Sequence, residues 1–389
     1  METLLTLWDE ETLYRVALTR TKNIGPAYTK KLIGIFGDAR SVFQAREQAL
    51  LETGIRADSA EAIVRFRGRA ALEAELLLLR QKGVRPLFYT DRDYPRRLND
   101  VSDVPPLLYY KGNADLNAKR IVAIVGTRIP SEYGRQVTMQ LIRQMAHPDL
   151  LVISGLALGI DTAVHVASLD NHLSTVGVLG HGFGHLYPAE NRELAKAMLS
   201  CGGLLTSFAY GVKPEAHHFP DRNKVVAALC DAVVVIETAR KGGSLLTVNQ
   251  ALKFNRKVFA VPGRVMDTRS AGCNWLIRQN MATMLTSGEQ LPAAMGWNWP
   301  EGGAGIQGSL GLSSAGEEGP VVKDRGSAAE ISVLELLKQG DSFYIDEVAA
   351  RTGLAPSELA MLLFELEMKG SIKNLPGKRY MINSQASQV

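Results

Sequence analysis

The residues IVAIVG (121–126), LLVISG (150–155) and TVGVLG (175–180) are three short apolar runs, each ending in glycine. Three further short, mainly apolar runs follow, which are GLLTSF (203–208), AVVVIE (232–237) and KVFAVPG (257–263). Continuous apolar runs separated by helix-length segments are typical of parallel strands that are buried on both faces and joined by helical crossovers. The sequence therefore predicts an α/β fold built on an extended, Rossmann-like parallel sheet.

Glycine and small polar residues occupy the positions directly after these runs. In an open parallel sheet, ligands bind outside the carboxyl ends of the strands, so these turns lie where a binding site forms. Glycine permits close approach of the backbone, and the helix that follows presents unpaired N–H groups that attract an anion. Four such turns predict an extended phosphate-binding track. The turns are Gly126-Thr127-Arg128, residues 154–161, residues 180–184 and residues 241–247.

Cationic and aromatic residues accompany the same turns, and they favour a strand of nucleic acid over a single nucleotide. The candidates to pair with phosphates are Arg128, Arg222 and Lys224. The candidates to stack on bases are Phe183, Tyr187 and Phe219. Core packing is the usual role of an aromatic residue, but Phe219 is flanked by polar residues in HFPDRNK (218–224).

Asp161 and His165 are four residues apart at the start of a predicted helix, a spacing that also suits an acid and a base. A carboxylate in the first turn favours the helix dipole, and His165 is as well suited to hydrogen-bond a neighbouring loop, so we assign the pair no catalytic role. The sequence also lacks a Walker lysine motif, a G-x-S-x-G elbow, a Cys-His pair and a carboxylate cluster for a metal. It predicts a binding protein with no catalytic residues, no metal and no cofactor.

The region before the sheet has two parts. Residues 1–84 have helical periodicity and predict a small helical domain. Its stretch NIGP (23–26), followed by Lys30 and Lys31, fits either a helix-hairpin-helix turn that meets a phosphate or a plain helical turn. The sheet domain is predicted over residues 85–297. Its beginning, residues 85–113, is rich in Pro, Tyr and Asp and suits an extended connector.

The region after the sheet predicts a linker and a third domain. Residues 298–327 are rich in Gly and Ser and predict a flexible linker. Residues 328–389 predict a winged-helix-like domain, with helices near 346–351 and 356–369 and a β-wing at 373–382. The presumptive recognition helix carries three glutamates, so contact with a protein is at least as well supported as contact with DNA.

Composition limits the kind of protein further. A chain of 389 residues with 46% hydrophobic residues predicts two or three globular domains. The formal net charge is only +4, so any contact with nucleic acid is local. Cys201, Cys230 and Cys273 are widely spaced, as expected for buried thiols in a reducing compartment. An acidic N-terminal stretch and the lack of a long apolar run predict a soluble, cytoplasmic protein without membrane contact.

In its central part the sequence resembles the bacterial DNA-processing protein A family (DprA, also called Smf). The resemblance runs from about residue 94 to residue 291. Its motifs include YPRRLNDVSDVPPLLYYKGN (94–113), ISGLALGIDTAVH (153–165), HFPDRNKVVAAL (218–229) and VVVIETARKGGSLLTVNQAL (233–252). Members protect incoming single-stranded DNA and load the RecA recombinase during natural transformation. The resemblance implies single-stranded DNA and RecA as partners, a homodimer, a sterile-alpha-motif-like N-terminal domain and a C-terminal winged helix.

Carried over motif by motif, the resemblance also implies a set of DNA-binding residues. They are Gly126, Thr127, Arg128, Ser154, Gly155, Gly159, Tyr187, Asn191, Phe219, Arg222, Asn223, Lys224, Gly243 and Ser244. LTSF (205–208) stands where relatives usually have Ser-Glu-Tyr, and Asn280-Met281 replaces a usual Gly-Ala. These departures bear on local contacts and not on the fold. The dimer and RecA interfaces lie in less distinctive helices and are not transferable residue by residue.

Two enzyme classes are alternatives to a binding protein. Cytokinin-activating phosphoribohydrolases are similar Rossmann enzymes with a Gly-Gly turn followed by paired carboxylates. Here the turn at residues 242–244 leads to TVNQ (247–250), with no glutamate to assist cleavage of a glycosidic bond. An NAD-dependent enzyme needs a G-x-G-x-x-G turn and an acidic residue about 20 positions later, and the turn at Gly126 lacks that spacing.

Overall fold

A computed structural model of the chain describes residues 10–101, 103–298, 326–338, 340, 342–355, 359, 362–363, 366–367, 371–375 and 379–382. The chain divides into two compact units, residues 1–307 and 308–389. The first unit holds a helical segment and a large sheet, and the second holds a small three-stranded sheet with helices.

Six helices precede the large sheet. They are α1 Glu10–Arg20, α2 Pro26–Phe36, α3 Ala39–Gln44, α4 Glu47–Glu52, α5 Ala57–Val64 and α6 Arg69–Gln81. Proline at the first position starts α2, and the Asp38 side chain caps α3 by accepting a hydrogen bond from the Ser41 backbone N–H. The buried faces of the helices share one apolar core with Phe88 and Tyr109 of the sheet. The helical segment is therefore packed directly on one edge of the sheet.

The large sheet has nine strands. They are β1 Arg85–Phe88, β2 Leu107–Gly112, β3 Arg120–Val125, β4 Leu150–Ser154, β5 Ser174–Leu179, β6 Gly202–Thr206, β7 Ala232–Val235, β8 Lys257–Ala260 and β9 Thr283–Met284. Their spatial order is β1-β2-β6-β5-β4-β3-β7-β8-β9. In this spatial order, every pair of neighbouring strands between β6 and β9 is parallel. The predicted Rossmann-like parallel sheet is therefore confirmed.

The prediction of a connector at residues 85–113 was incomplete. This segment contains β1 and β2, which pair with each other in antiparallel fashion, and β2 also pairs antiparallel with β6. The side chains of Leu107 to Tyr110 are all buried, because the helical segment covers one face of β2 and the sheet core covers the other. Pro105 and Pro106 directly before β2 made the segment look like a connector in the sequence.

Seven helices flank the sheet after β3. They are α7 Glu132–Gln144, α8 Ile160–Asp170, α9 Arg192–Met198, α10 His218–Leu229, α11 Ser244–Lys253, α12 Ala271–Arg278 and α13 Gln290–Met295. The central strand β3 buries Ile121 and Ala123 in one core and Val122 and Ile124 in another, which explains its continuous apolar sequence. The chain runs from β3 to β4 on one side and later to β7 on the other. The strand order therefore reverses at β3, where a crevice opens between the connecting loops.

The second unit has the elements of a winged helix. They are α14 Gly326–Leu337, β10 Phe343–Tyr344, α15 Ile345–Thr352, β11 Ile372–Leu375 and β12 Arg379–Ile382. Strand β12 pairs antiparallel with both β10 and β11, so the predicted wing at 373–382 is a hairpin. The predicted helix at 356–369 and the predicted linker at 298–327 lie largely outside the described residues. None of the described helices has both the length and the apolar composition that a membrane crossing requires.

His165 in α8 has a structural role in the sheet core. Its side chain is fully buried, and its Nδ1 lies 2.7 Å from Thr175 Oγ1. The Thr175 hydroxyl donates its one hydrogen to the Val152 carbonyl oxygen, so His165 Nδ1 donates to Thr175. Burial lowers the pKa of His165 to about 3. The hydrogen-bond partner of His165 is therefore a residue of strand β5 and not of a loop. Because its pKa is so low, the imidazole is neutral in the folded protein.

We expect the fold to lose stability as the pH falls from 6.5 toward 3, because the unfolded chain binds a proton at His165 that the folded chain excludes. Within that window the loss is about 1.4 kcal/mol per pH unit. Urea unfolding at several pH values measures it, and His165→Gln should show a shallower pH dependence than the wild type. His217→Gln, at an exposed histidine, is the control. Parallel pH profiles for the wild type and His165→Gln would contradict this assignment.

Candidate functional site

A groove with a volume of about 800 Å³ opens at the carboxyl ends of β3, β4 and β7, where the strand order reverses. Its walls are the turns that follow these three strands and the first turns of α10. Three of the four predicted glycine turns therefore meet in one site. Only the first residue of the fourth turn, Gly180, reaches this site, where it lines a small adjoining cavity together with Arg128, Tyr187 and Phe219. The rest of that turn packs under the loop at residues 209–212, where the Gly182 N–H donates to the Val212 carbonyl oxygen.

Most of the predicted DNA-binding residues line this groove. These are Gly126, Thr127, Arg128, Gly155, Tyr187, Phe219, Arg222, Asn223, Gly243 and Ser244. Helix α11 begins at Ser244, at the wall of the groove, and its N–H groups at Leu245 and Leu246 donate to the carbonyl oxygens of Gly242 and Gly243. The remaining predicted residues, Ser154, Gly159, Asn191 and Lys224, are placed elsewhere.

An aromatic ring and two guanidinium groups lie together at one end of the groove. The Cζ atoms of Arg128 and Arg222 are 5.4 Å and 5.6 Å from the centre of the Phe219 ring. The ring of Tyr187, a half-exposed side chain, lies 6.1 Å from that of Phe219. Arg128 is exposed, whereas Arg222 is buried. This end of the groove therefore offers one accessible cation beside two aromatic faces.

Arg222 is a buried residue that forms part of the floor of the groove. Its Nη1 donates to the carbonyl oxygens of Gly155 and Val178, and its Nε donates to Asn223 Oδ1 at 3.0 Å. Burial lowers the pKa of Arg222 and raises the pKa of Asp161, while the opposite charge of each partner counteracts the shift of the other. A Cβ on Gly155 would collide with both side chains, so only glycine fits there. The donors of Arg222 hold the turn after β4, and its predicted contact with a phosphate stays a prediction.

Three predicted residues shape the turns without facing the groove. Ser154 Oγ donates to the Ile124 carbonyl oxygen at 2.6 Å, and Asn191 Nδ2 donates to the Leu156 carbonyl oxygen at 3.0 Å. Gly159 has a φ of +90°, and a Cβ there would collide with the backbone of Arg128. These residues fix where the β4 turn lies against the turn that carries Arg128.

Lys224 lies on the other side of α10. Its Nζ is 2.7 Å from Asp103 Oδ2, and the side chain lines a separate cavity of about 440 Å³ together with Arg20 and Phe208. A helix presents successive residues about 100° apart, so Asn223 and Lys224 face different cavities although they are adjacent in sequence. The structure does not bring Lys224 into the groove.

Glu237 is a site residue that sequence reasoning missed. It follows β7 and is fully buried, and its carboxylate accepts hydrogen bonds from the Ser131 backbone N–H at 2.9 Å and from Ser131 Oγ at 2.5 Å. The Glu237 carbonyl oxygen accepts a hydrogen bond from the Thr127 N–H at 2.8 Å. Glu237 therefore fixes the segment that carries Arg128. The only signal in the sequence was a carboxylate directly after an apolar strand.

Replacing Glu237 with Leu should destabilise the fold by about 1–3 kcal/mol, because Ser131 then loses the acceptor for two buried donors. Glu237→Gln keeps an acceptor of the same shape and should lose less than half as much. Urea unfolding of both variants beside the wild type measures the difference. Equal destabilisation by Leu and Gln would show that the hydrogen bonds to Ser131 are not the cause.

An open parallel sheet with a glycine-lined groove at its switch point defines a Rossmann-like α/β protein with a site suited to phosphates. The sequence comparisons then place it more narrowly. A family model described as DNA recombination-mediator protein A matches residues 85–296, and a model described as DprA winged helix domain matches residues 320–378. The chain belongs to this DprA/Smf family, as the sequence motifs predicted.

Known relatives agree with this assignment. Protein Smf of Synechocystis sp. is 31% identical over 403 residues, which cover 96% of this chain and 99% of that protein. The X-ray structure of DNA processing protein A from Streptococcus pneumoniae is 31% identical with a TM-score of 0.64, covering 72% of this chain and 97% of that one. DNA processing protein A from Helicobacter pylori is 26% identical with a TM-score of 0.50, covering 55% and 95%. The H. pylori structure gives insight into the single-stranded DNA binding mode of that protein.

Proposed function

We propose that the groove binds single-stranded DNA. The observation that carries this proposal is the convergence of an exposed guanidinium, Arg128, and the aromatic pair Tyr187 and Phe219 on glycine turns at one edge of the sheet. Guanidinium and backbone N–H groups bind phosphates, and aromatic faces stack on bases. The relative from H. pylori, whose structure concerns single-stranded DNA binding, supports the same ligand.

The aromatic pair favours a strand with unpaired bases. In a duplex the base faces are stacked on one another and turned away from side chains, whereas unpaired bases present a free face. Phe219 is held in position by the guanidinium groups of Arg128 and Arg222, so its ring is already placed to receive a base. Such pre-positioning lowers the ordering cost of binding.

We propose no catalytic step for this site. Among the described residues lining the groove, Asp161 is the only carboxylate, and it is buried beside Arg222 with its Oδ2 accepting a hydrogen bond from the Ala157 N–H. The turn at residues 242–247 contributes no acid to the groove. The phosphoribohydrolase alternative requires a carboxylate at that place.

We further propose that the protein protects incoming single-stranded DNA and delivers it to RecA in natural transformation or recombination. The support is membership of the DprA/Smf family and the DNA-processing names of its relatives. Action as a homodimer in the cytoplasm belongs to the same proposal. The cysteines Cys201, Cys230 and Cys273 are all free thiols, which suits a reducing compartment.

Arg128→Ala should weaken binding of a fluorescent oligothymidylate roughly 10- to 100-fold at moderate salt, because one charge-assisted contact with a phosphate is lost. Lys224→Ala removes the same charge from the neighbouring cavity and should have a much smaller effect. Fluorescence anisotropy across a salt series measures both affinities. Arg128→Ala should also reduce the steepness of the slope of log affinity against log salt concentration by about 0.7. An unchanged affinity for Arg128→Ala, or a larger loss for Lys224→Ala, would rule out the groove as the site.

Phe219→Ala should reduce affinity for the same oligonucleotide by about 1–3 kcal/mol, which is the contribution of one stacked base. Because no charge changes, the slope of affinity against salt should stay as in the wild type. Phe219→Leu keeps the apolar volume but not the flat face, and it separates stacking from packing. If Leu restores wild-type binding, a base does not stack on this ring.

A further inference from the structure

The loop between β8 and α12 exposes apolar and cationic side chains side by side. Val265 and Met266 are 89% and 93% exposed, and they stand between the exposed residues Arg264 and Arg269. No other large hydrophobic side chains in the described residues are as accessible. Hydrophobic groups exposed to this degree contribute nothing to the core.

This loop is nevertheless anchored. The Asn274 side chain accepts a hydrogen bond from the Gly263 N–H at 3.1 Å and donates to the Gly263 carbonyl oxygen at 3.0 Å. The Tyr133 hydroxyl donates to the Pro262 carbonyl oxygen at 2.9 Å. Within the loop, Asp267 Oδ1 accepts a hydrogen bond from the Arg269 backbone N–H. The exposed side chains are therefore presented from a backbone that is tied down at several points.

Two further cations adjoin the loop from the turn after β7. Arg240 and Lys241 are exposed there, and we refer to Arg240, Lys241, Arg264 and Arg269 together as the β8 patch. In the described parts of the chain, none of these four makes an ion pair. Asp267 in the same loop offsets part of this charge, and the four cations still form a local positive excess in a chain whose net charge is only +4.

The β8 patch is continuous with the groove. Thr238, Ala239, Gly242 and Gly243 line the groove, and the residues between them carry the first two cations of the patch. The Gly272 N–H, at the start of α12, donates to the Thr238 carbonyl oxygen at 2.7 Å. Strand β8 is two positions from β3 in the sheet, a distance of about 10 Å. The loop after β8 thus lies at the same edge of the sheet, next to the groove wall.

We propose that the DNA strand leaves the groove over the turn at residues 241–243 and continues along the β8 patch. The cations meet successive phosphates, and Val265 and Met266 contact base faces between them. A flexible polyanion with apolar base faces matches this alternation of charge and apolar surface. The inference rests on the proposed function of the groove and adds a second contact segment to it.

The test compares oligothymidylates of four and twenty nucleotides by fluorescence anisotropy across salt. The variant Arg264→Ala/Arg269→Ala should bind the longer strand roughly tenfold more weakly at moderate salt, with a slope flatter by about 1.4, and should bind the shorter strand as the wild type does. Met266→Ala should weaken binding of the longer strand about threefold without changing the slope, because it removes apolar contact only. The control Arg46→Ala/Arg67→Ala removes the same charge from exposed sites on the helical segment.

Each outcome separates the two proposals. If the wild type binds neither strand, the proposed function fails and the β8 patch fails with it. If the wild type binds both strands and the double variant matches it on the longer one, only the β8 patch is ruled out. The proposal would also be overturned if the double variant lost equal affinity for both lengths, or if the control variant lost as much affinity as the double variant. Either result would mean that the effect comes from the overall charge of the protein. Light scattering must show an unchanged mass, since a change would assign the loop to contact between copies of the chain.

Discussion

The buried guanidinium of Arg222 is the interaction on which the groove depends. Withdrawing a charge from water costs several kcal/mol, and here the cost is offset by two carbonyl oxygens and the neighbouring Asp161. This arrangement requires glycine at position 155, because any Cβ there would occupy the space of the guanidinium. It also places a cation against the Phe219 ring. The floor, the turn after β4 and the aromatic face are thus set by one side chain.

The buried carboxylate of Glu237 anchors the opposite wall of the groove, as Arg222 anchors the floor. This carboxylate accepts hydrogen bonds from the backbone N–H and the hydroxyl of Ser131, and it thereby holds the segment that begins at Thr127. Both anchors lie at the reversal of strand order, where the loops after β3, β4 and β7 diverge and would otherwise have few partners. The side chains of Arg222 and Glu237 are buried and bonded to other protein groups, whereas Arg128 is an exposed cation at the groove. The residues that support the groove are therefore different from the cation that it exposes.

Part of this arrangement was predictable. Strands β3 to β8 were predicted because both of their faces are buried, which leaves a continuous apolar run in the sequence. Strands β1 and β2 were not, because Pro86 lies within β1, because Pro105 and Pro106 directly precede β2, and because the helical segment that covers β2 is far away in the chain. The glycine turns after β3, β4 and β7 were expected to meet and do so. The turn at residues 180–184 was expected there too, but only Gly180 reaches the site, and the N–H groups of Gly182 and Gly184 bond to the loop at residues 209–212.

The sequence by itself determined the sheet, the family and the turns that form the site, because local periodicity and glycine spacing follow from backbone geometry. It did not determine which cations reach the groove. Arg128, Arg222 and Lys224 look alike in sequence, yet Arg128 is exposed, Arg222 is buried in the floor of the groove and Lys224 faces another cavity. Only the tertiary structure decided this, because the direction and the partners of a side chain depend on elements that are distant in the chain and adjacent in space.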